Sequence, residues 1–109
     1  MQFKRRMLAL VLLGEKTQTR RINPPRHKVG SLQPVQCGYR DKAHARILIT
    51  GVRRQKLKDM TLEEAKAEGF ISVLAFVGYV MDINPKHKIM PDTEMTVYEF
   101  ELQEDAHDH

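Results

Sequence analysis

The segment Gly14-Glu-Lys-Thr-Gln-Thr-Arg-Arg21 gathers an amine, two hydroxyls and two guanidinium groups within eight residues. In an extended run Thr17, Thr19 and Arg21 share one face, while Gln18, Arg20 and Ile22 share the other. A lysine beside a threonine hydroxyl acts as a general base only when its pKa falls to about 7–8. Burial and neighbouring cations lower it, and Arg20 and Arg21 supply the cations. The same composition also suits a solvated basic strand whose threonines serve β-propensity. A phosphate-binding loop is excluded, because Gly-x4-Gly-Lys-Ser/Thr is absent and a helix, not a strand, precedes the segment.

Glu68 is the second residue that stands out. It falls in the last turn of a predicted helix, where the helix dipole disfavours a carboxylate. Lying three residues beyond Ala65, it borders the apolar Leu62/Ala65 face and can point inward. A buried acid needs a cationic partner, and Lys16 is one candidate. A surface position is the ordinary alternative for a glutamate near a helix end.

Other chemistries lack their residues. Cys37 is the single cysteine. It forms no internal disulfide and cannot build a Cys-x-x-Cys zinc site, which removes the zinc nucleobase deaminases and suits a reducing compartment. His27, His44 and His87 are isolated in sequence, and no His-Glu-x-x-His spacing occurs. No metal and no cofactor is expected.

These residues must be positioned by a small scaffold. The chain has 109 residues and a net charge of +4, which fits one domain. The charge is unevenly spread: residues 1–58 carry fifteen Lys/Arg against two Asp/Glu, and residues 59–109 carry three against twelve. A balance of +13 facing one of −9 suggests a polyanion or nucleotide as partner, or two halves that attract each other. The start, Lys4-Arg5-Arg6 before Met7–Leu13, imitates a signal peptide. Gly14-Glu15-Lys16 stands where the cleavage site should be, and Phe3, Met7, Leu10 and Val11 mark one face of an amphipathic helix. No segment is apolar enough to cross a membrane. A soluble, cytoplasmic protein is expected.

The helix predicted from about Phe3 to Leu13 stops at Gly14. Thr17–Ile22 reads as a short strand ended by Asn23-Pro24-Pro25, and Gly30-Ser31 as a turn. Pro34–Tyr39 is a second strand candidate, and Ala45–Arg54 the best one. Thr61-Leu-Glu-Glu64 is a capping box opening a helix that ends at Gly69. Phe70–Met81 fits a helix or a buried strand until Asn84-Pro85. Glu94–Leu102 alternates, with Thr96, Tyr98, Phe100 and Leu102 on one side, as a closing strand. The sum is an α+β domain, a curled sheet or small barrel with helices at its ends. Glu104–His109, acidic and with two histidines, is expected to be a mobile tail outside a single domain of residues 1–103.

Gly14-x-Lys16-Thr17-x-Thr19-x-Arg21, after a short amphipathic helix, resembles the signature of the ASCH domain family. Gly30-Ser31, the Ile47–Val52 strand, Leu57-x-Asp59-Met60-Thr61 leading to Glu68-Gly69-Phe70, and a last strand ending in Phe100 extend the resemblance over about residues 3–102. It implies a PUA-like fold, a small β-barrel with flanking helices, and a cleft associated with RNA or nucleotides. Some small bacterial members are amidohydrolases that remove acyl groups from N4-acylated cytidine without a metal. Their catalytic set, a Lys, a Thr three residues later and a Glu on the helix after the central strands, corresponds to Lys16, Thr19 and Glu68. Arg21 and Arg20 are expected to bind the base or to polarise the carbonyl as the oxyanion forms, with Thr17 also on the substrate, a small modified nucleoside. Tyr79 or Phe76 could stack on the base, or belong to the core. In one scheme Thr19 attacks and Lys16 is the base. In another Glu68 activates water and Thr19 only donates a hydrogen bond. The alternative class is a non-catalytic RNA-binding module in which Arg5, Arg6, Arg53 and Arg54 grip phosphates. An RNA-cleaving enzyme on the same fold lacks a histidine pair for acid–base work.

Overall fold

The computed structural model describes residues 1–38 and 40–105. Helix α1 (Arg5–Leu12) leads into strand β1 (Gln18–Arg21), then β2 (Leu32–Val35) and the long β3 (Ala45–Lys56). A 3₁₀ turn (Leu57–Asp59), α2 (Leu62–Ala67) and α3 (Val73–Ile83) follow, before β4 (Glu94–Asp105) closes the chain. The four strands form one antiparallel sheet in the order β1-β4-β3-β2. Register shifts between Arg46 and Ile47 and between Ile49 and Gly51 interrupt the β3–β4 ladder. Such irregularities bend a strand and sharpen its twist. The result is α+β, a curled four-stranded half-barrel with three helices. No helix among the described residues is long and apolar enough to cross a membrane.

The core lies between the sheet and the helices. Phe3, Met7, Leu8 and Val11 from the α1 region meet Ile47 and Ile49 of β3, Phe76 and Val80 of α3, and Met95, Tyr98 and Phe100 of β4. The ambiguous stretch after Phe70 is a helix. Ser72 caps it, its Oγ accepting from Ala75 N at 3.1 Å, and Asn84 ends it by donating from Nδ2 to Val80 O at 2.8 Å. Its buried positions are Phe76 and Val80, while Leu74, which adds to the apolar run, is 80% exposed.

Two expectations shift. The second strand is Leu32–Val35 rather than Pro34–Tyr39. Pro34 pairs with Arg46 on a strand at the sheet edge, where a residue without an N–H is tolerated; Tyr39 lies outside the described residues. β4 does not keep its alternation as an in/out pattern: Met95, Thr96, Val97 and Tyr98 are all buried. The segment after β1 covers the face of β4 that would otherwise be solvated: Thr96 Oγ1 donates to Asn23 O at 2.6 Å, and Tyr98 Oη accepts from Arg26 N at 2.9 Å. The β4 backbone continues to Asp105. Residues 106–109 of the expected tail lie outside the described residues.

Candidate functional site

The corner carrying Lys16 is built by α1's exit. Gly14 takes φ +78°, a conformation glycine adopts without steric cost. The N–H groups of Glu15 and Lys16 both donate to Leu10 O, at 3.0 and 3.1 Å. Thr17 then ties three elements together: its N–H donates to Ala67 O at the end of α2, at 2.8 Å, and its carbonyl accepts from Phe100 N of β4 at 3.0 Å. This pinning sends the Lys16 side chain inward, where it is 3% exposed.

Glu68 is placed by the end of α2. Phe70 N donates to Ala65 O and Gly69 N to Lys66 O, both at 2.9 Å, with Gly69 at φ +94°. This is a Schellman closure, in which the left-handed residue after the helix satisfies its last carbonyls. Glu68, the residue just before it, is held with 1% exposure. Lys16 Nζ donates to Glu68 Oε1 at 2.7 Å and to Glu68 O at 2.8 Å. One ammonium thus offsets both the carboxylate and the negative end of the helix that would otherwise disfavour it.

Arg20 holds the other carboxylate oxygen. Its Nη1 donates to Glu68 Oε2 at 2.9 Å and to Gln18 Oε1 at 3.0 Å, and its Nε to Gln55 Oε1 at 3.1 Å. Nη2 donates to Gln55 Oε1 at 2.8 Å and Glu64 Oε2 at 2.7 Å. A guanidinium has five N–H donors, so Arg20 has none left for a ligand. Glu64 serves twice: its Oε1 completes the capping box with Thr61 N at 3.0 Å, and its Oε2 also accepts from Arg53 Nη2 at 2.6 Å. Burial raises the Glu64 pKa, but hydrogen bonds from Arg53, Thr61 and Gln55 and the charge of Arg20 outweigh it and hold it at about 2.

The Lys16 pKa lies below the ordinary lysine value. Burial is the main cause, helped by the positive charges of Arg21 and Arg20 and opposed by Glu68. Burial disfavours the charged ammonium more than the nearby carboxylate favours it. Thr19, 4% exposed, accepts at Oγ1 from Arg21 Nε at 3.3 Å. Arg21 also donates from Nη2 to Gln2 O at 2.8 Å and lies 5.0 Å above the Phe3 ring. Among the described residues Arg21 Nη1 has no hydrogen-bond partner, and Lys16 Nζ is not bonded to Thr19.

Lys16, Thr19, Arg20, Arg21 and Glu68 line one cleft of about 210 Å³, walled on its apolar side by Phe3, Met7, Phe76 and Tyr79. This is below the roughly 300–1,000 Å³ of a drug-sized ligand site, and suits a single ring with a short substituent. Thr17 is exposed and does not line it. Phe76 is 2% exposed and edge-on to Phe70, a core residue, whereas Tyr79 is only half-buried at the cleft wall. Sequence reasoning missed Gln55 and the second role of Glu64. The capping box drew attention to Glu64, but nothing local marks its free oxygen as an arginine acceptor. Among the described residues no three His, Cys, Asp or Glu come together to hold a metal.

No protein-family model matches the sequence, and no curated protein does. Solved structures do match its fold. An Enterococcus faecalis V583 protein of the family DUF984 superposes with a TM-score of 0.75 at 20% identity, over 95% of this chain and 76% of that one. An ASCH domain from Lactobacillus crispatus gives 0.73 at 19% identity, over 88% and 69%. The ASCH protein of Zymomonas mobilis gives 0.65 at 11% identity, over 96% and 66%, and is also known as Tyr→Phe and Ser→Ala single-substitution forms. Over nearly its whole length, this chain has the PUA-like fold of the ASCH domain proteins.

Proposed function

We propose that the protein is an amidohydrolase that removes the acyl group from N4-acylated cytidine or a related cytosine compound. The observation that carries this reading is Lys16: a buried amine with a lowered pKa, held at two points by Glu68 and lining the same cleft as Thr19. In its deprotonated form, the one that acts as a base, a lysine amine has two N–H groups and one lone pair. With both N–H groups donated to Glu68 Oε1 and Glu68 O, the lone pair is left for the cleft. Glu68 is then a positioning residue for the base, and Arg20, through Gln55 and Glu64, positions Glu68.

In the reaction Thr19 Oγ forms a bond to the acyl carbon while its proton passes to Lys16. Negative charge moves to the carbonyl oxygen, where Arg21 Nη1 supplies an uncommitted donor to a developing oxyanion. The carbon–nitrogen bond then breaks, and the proton on Lys16 goes to the departing exocyclic nitrogen. That nitrogen's lone pair is delocalised into the pyrimidine ring, so it leaves more readily than an ordinary amine. Water, deprotonated by Lys16, attacks the threonine ester and frees the acid and Thr19. Proton transfer from Thr19 requires it to move within reach of the Lys16 lone pair, and apo geometries are often looser than the reacting complex. The two substituted forms of the Zymomonas mobilis protein each delete a hydroxyl, the change used to probe a hydroxyl's part in a reaction.

The RNA-binding alternative relies on Arg5, Arg6, Arg53 and Arg54 as phosphate ligands. Arg5 and Arg6 are exposed on α1, but Arg53 is committed to Glu64 and Glu99, and Arg54 to Thr96, Asn23 and Glu94, which takes two of the four from that reading. Incubation with N4-acetylcytidine, following release of cytidine, tests it. Turnover by the wild type that Lys16→Ala and Thr19→Ala abolish is expected. No turnover across several acyl groups, together with tight salt-sensitive RNA binding, would overturn it.

A further inference from the structure

A second pocket, of about 360 Å³, adjoins the first and shares Gln2 and Arg21 with it. Its other lining includes Asn23, Arg26, His27 and Tyr98. Its character is the reverse of the first. The Lys16 cleft holds a carboxylate and an apolar wall, whereas no carboxylate lines the second pocket among the described residues. Arg20, Arg53 and Arg54 of the sheet are neutralised by carboxylates. Arg26 is different: its guanidinium makes no hydrogen bond or ion pair among the described residues, although its backbone N–H is fixed by donating to Tyr98 Oη at 2.9 Å. Tyr98 is 2% exposed, and its own proton is committed to no acceptor among the described residues. The His27 ring stands edge-on to Tyr98 at 5.4 Å. Its pKa is pushed down by burial and then by the positive charges around it, those of Arg21 and Arg26 among them. Unbalanced donors and cations converging on one pocket describe a site for an anion.

We propose that this second pocket is a phosphate subsite, so that the preferred substrate is a nucleotide, free or within a chain, rather than a bare nucleoside. The base occupies the Lys16 cleft, the sugar crosses at Gln2 and Arg21, and the phosphate meets Arg26, the Tyr98 hydroxyl and His27. The identity of the base rests on the acylcytidine reading. The phosphate assignment rests on the second pocket alone.

Calorimetry at low salt with cytidine 5′-monophosphate against cytidine, and with ribose 5-phosphate against ribose, reads the phosphate directly. The phosphorylated member of each pair is expected to bind about tenfold tighter, the gain from one or two charge-assisted hydrogen bonds. In Arg26→Ala the ratio falls to near one, and Arg26→Lys, which keeps the charge, retains part of it. The His27 ring, followed by NMR, titrates at higher pH with cytidine 5′-monophosphate bound than with cytidine, because the added anion favours the imidazolium. Equal binding within both pairs would overturn the proposal. A preference for ribose 5-phosphate without hydrolysis of N4-acetylcytidine upholds the subsite and removes the amidohydrolase; hydrolysis with equal binding does the opposite. A trinucleotide centred on cytidine that binds more tightly than the mononucleotide identifies the source as an RNA chain. The reverse order identifies a free nucleotide.

Discussion

Lys16 and Glu68 lie 52 residues apart in sequence and meet at two points, the ammonium donating to Oε1 at 2.7 Å and to the main-chain carbonyl of the same residue at 2.8 Å. One contact is an ion pair and the other caps the C-terminal end of α2. The second fixes the direction of the first. A lysine paired only with a carboxylate can rotate about it, whereas a lysine held by a backbone carbonyl as well keeps its remaining valence pointed one way.

Removing the base should abolish chemistry while leaving binding. Lys16→Met keeps the stem's apolar volume, and kcat for acylcytidine hydrolysis is expected to drop by about 10²–10⁴-fold, the usual share of a general base. Steady-state kinetics with equilibrium binding of cytidine separates the two effects.

Glu68→Gln leaves Lys16 and Arg20 facing a neutral amide in a buried site. Breaking a buried ion pair by neutralising one partner costs about 3–5 kcal/mol. Urea denaturation should show that loss, and it should shrink in the double variant Lys16→Met/Glu68→Gln, where one of the uncompensated cations is gone.

Arg20→Lys tests the positioning role. An ammonium has three donors, and cannot replace a planar fork serving Gln18, Gln55, Glu64 and Glu68. The expected outcome is a kcat reduced about tenfold or more, with KM for the nucleoside nearly constant, since Arg20 has no donor left for substrate and acts through positioning.

Two pH effects follow from the site. The folded Lys16 pKa lies below its ordinary 10.5, so between those values the unfolded chain holds more protons there and stability rises with pH. In activity, kcat/KM climbs on a basic limb that begins below the range of a free lysine. Glu64 is shifted in the same direction for the reverse reason, its charged form being favoured: held at about 2 against an ordinary 4.5, it contributes stability above 4.5 that is lost as pH falls toward 2. Glu64→Gln should flatten that part of the acid-denaturation curve, and a Lys16→Met pH–rate profile should lack the basic limb in any residual activity.

Gly69→Ala reports on how the loop sets the site. The residue has φ +94°, and an added Cβ would lie 2.6 Å from Leu10 Cδ1. Leu10 can yield, but the left-handed backbone remains strained, a cost of about 1–2 kcal/mol. Thermal unfolding should show it, and the shifted Glu68 should reduce kcat by more than the lost stability accounts for.

Much of this protein is readable in local sequence. The amphipathic spacing of Phe3, Met7 and Val11, the Thr61–Glu64 capping box and the glycines at 14 and 69 determine where helices begin and end, because each acts over a turn or two of chain. Lys16, Thr19 and Arg21 stand out for the same reason. The stretch after Phe70 stayed ambiguous, since an apolar run has no period to read until Ser72 caps it. The partners of those residues belong to the tertiary structure. Arg20 looks in sequence like a ligand-facing cation, and only the approach of β3 and α2 reveals that Gln55, Glu64 and Glu68, together with Gln18 of its own strand, occupy all its donors. The +13 and −9 halves likewise give no pairing by themselves. Coulombic attraction has no register; it is the sheet order β1-β4-β3-β2, with α2 closing over β1 and β3, that brings Glu68 to Lys16 and leaves Arg26 without a carboxylate among the described residues.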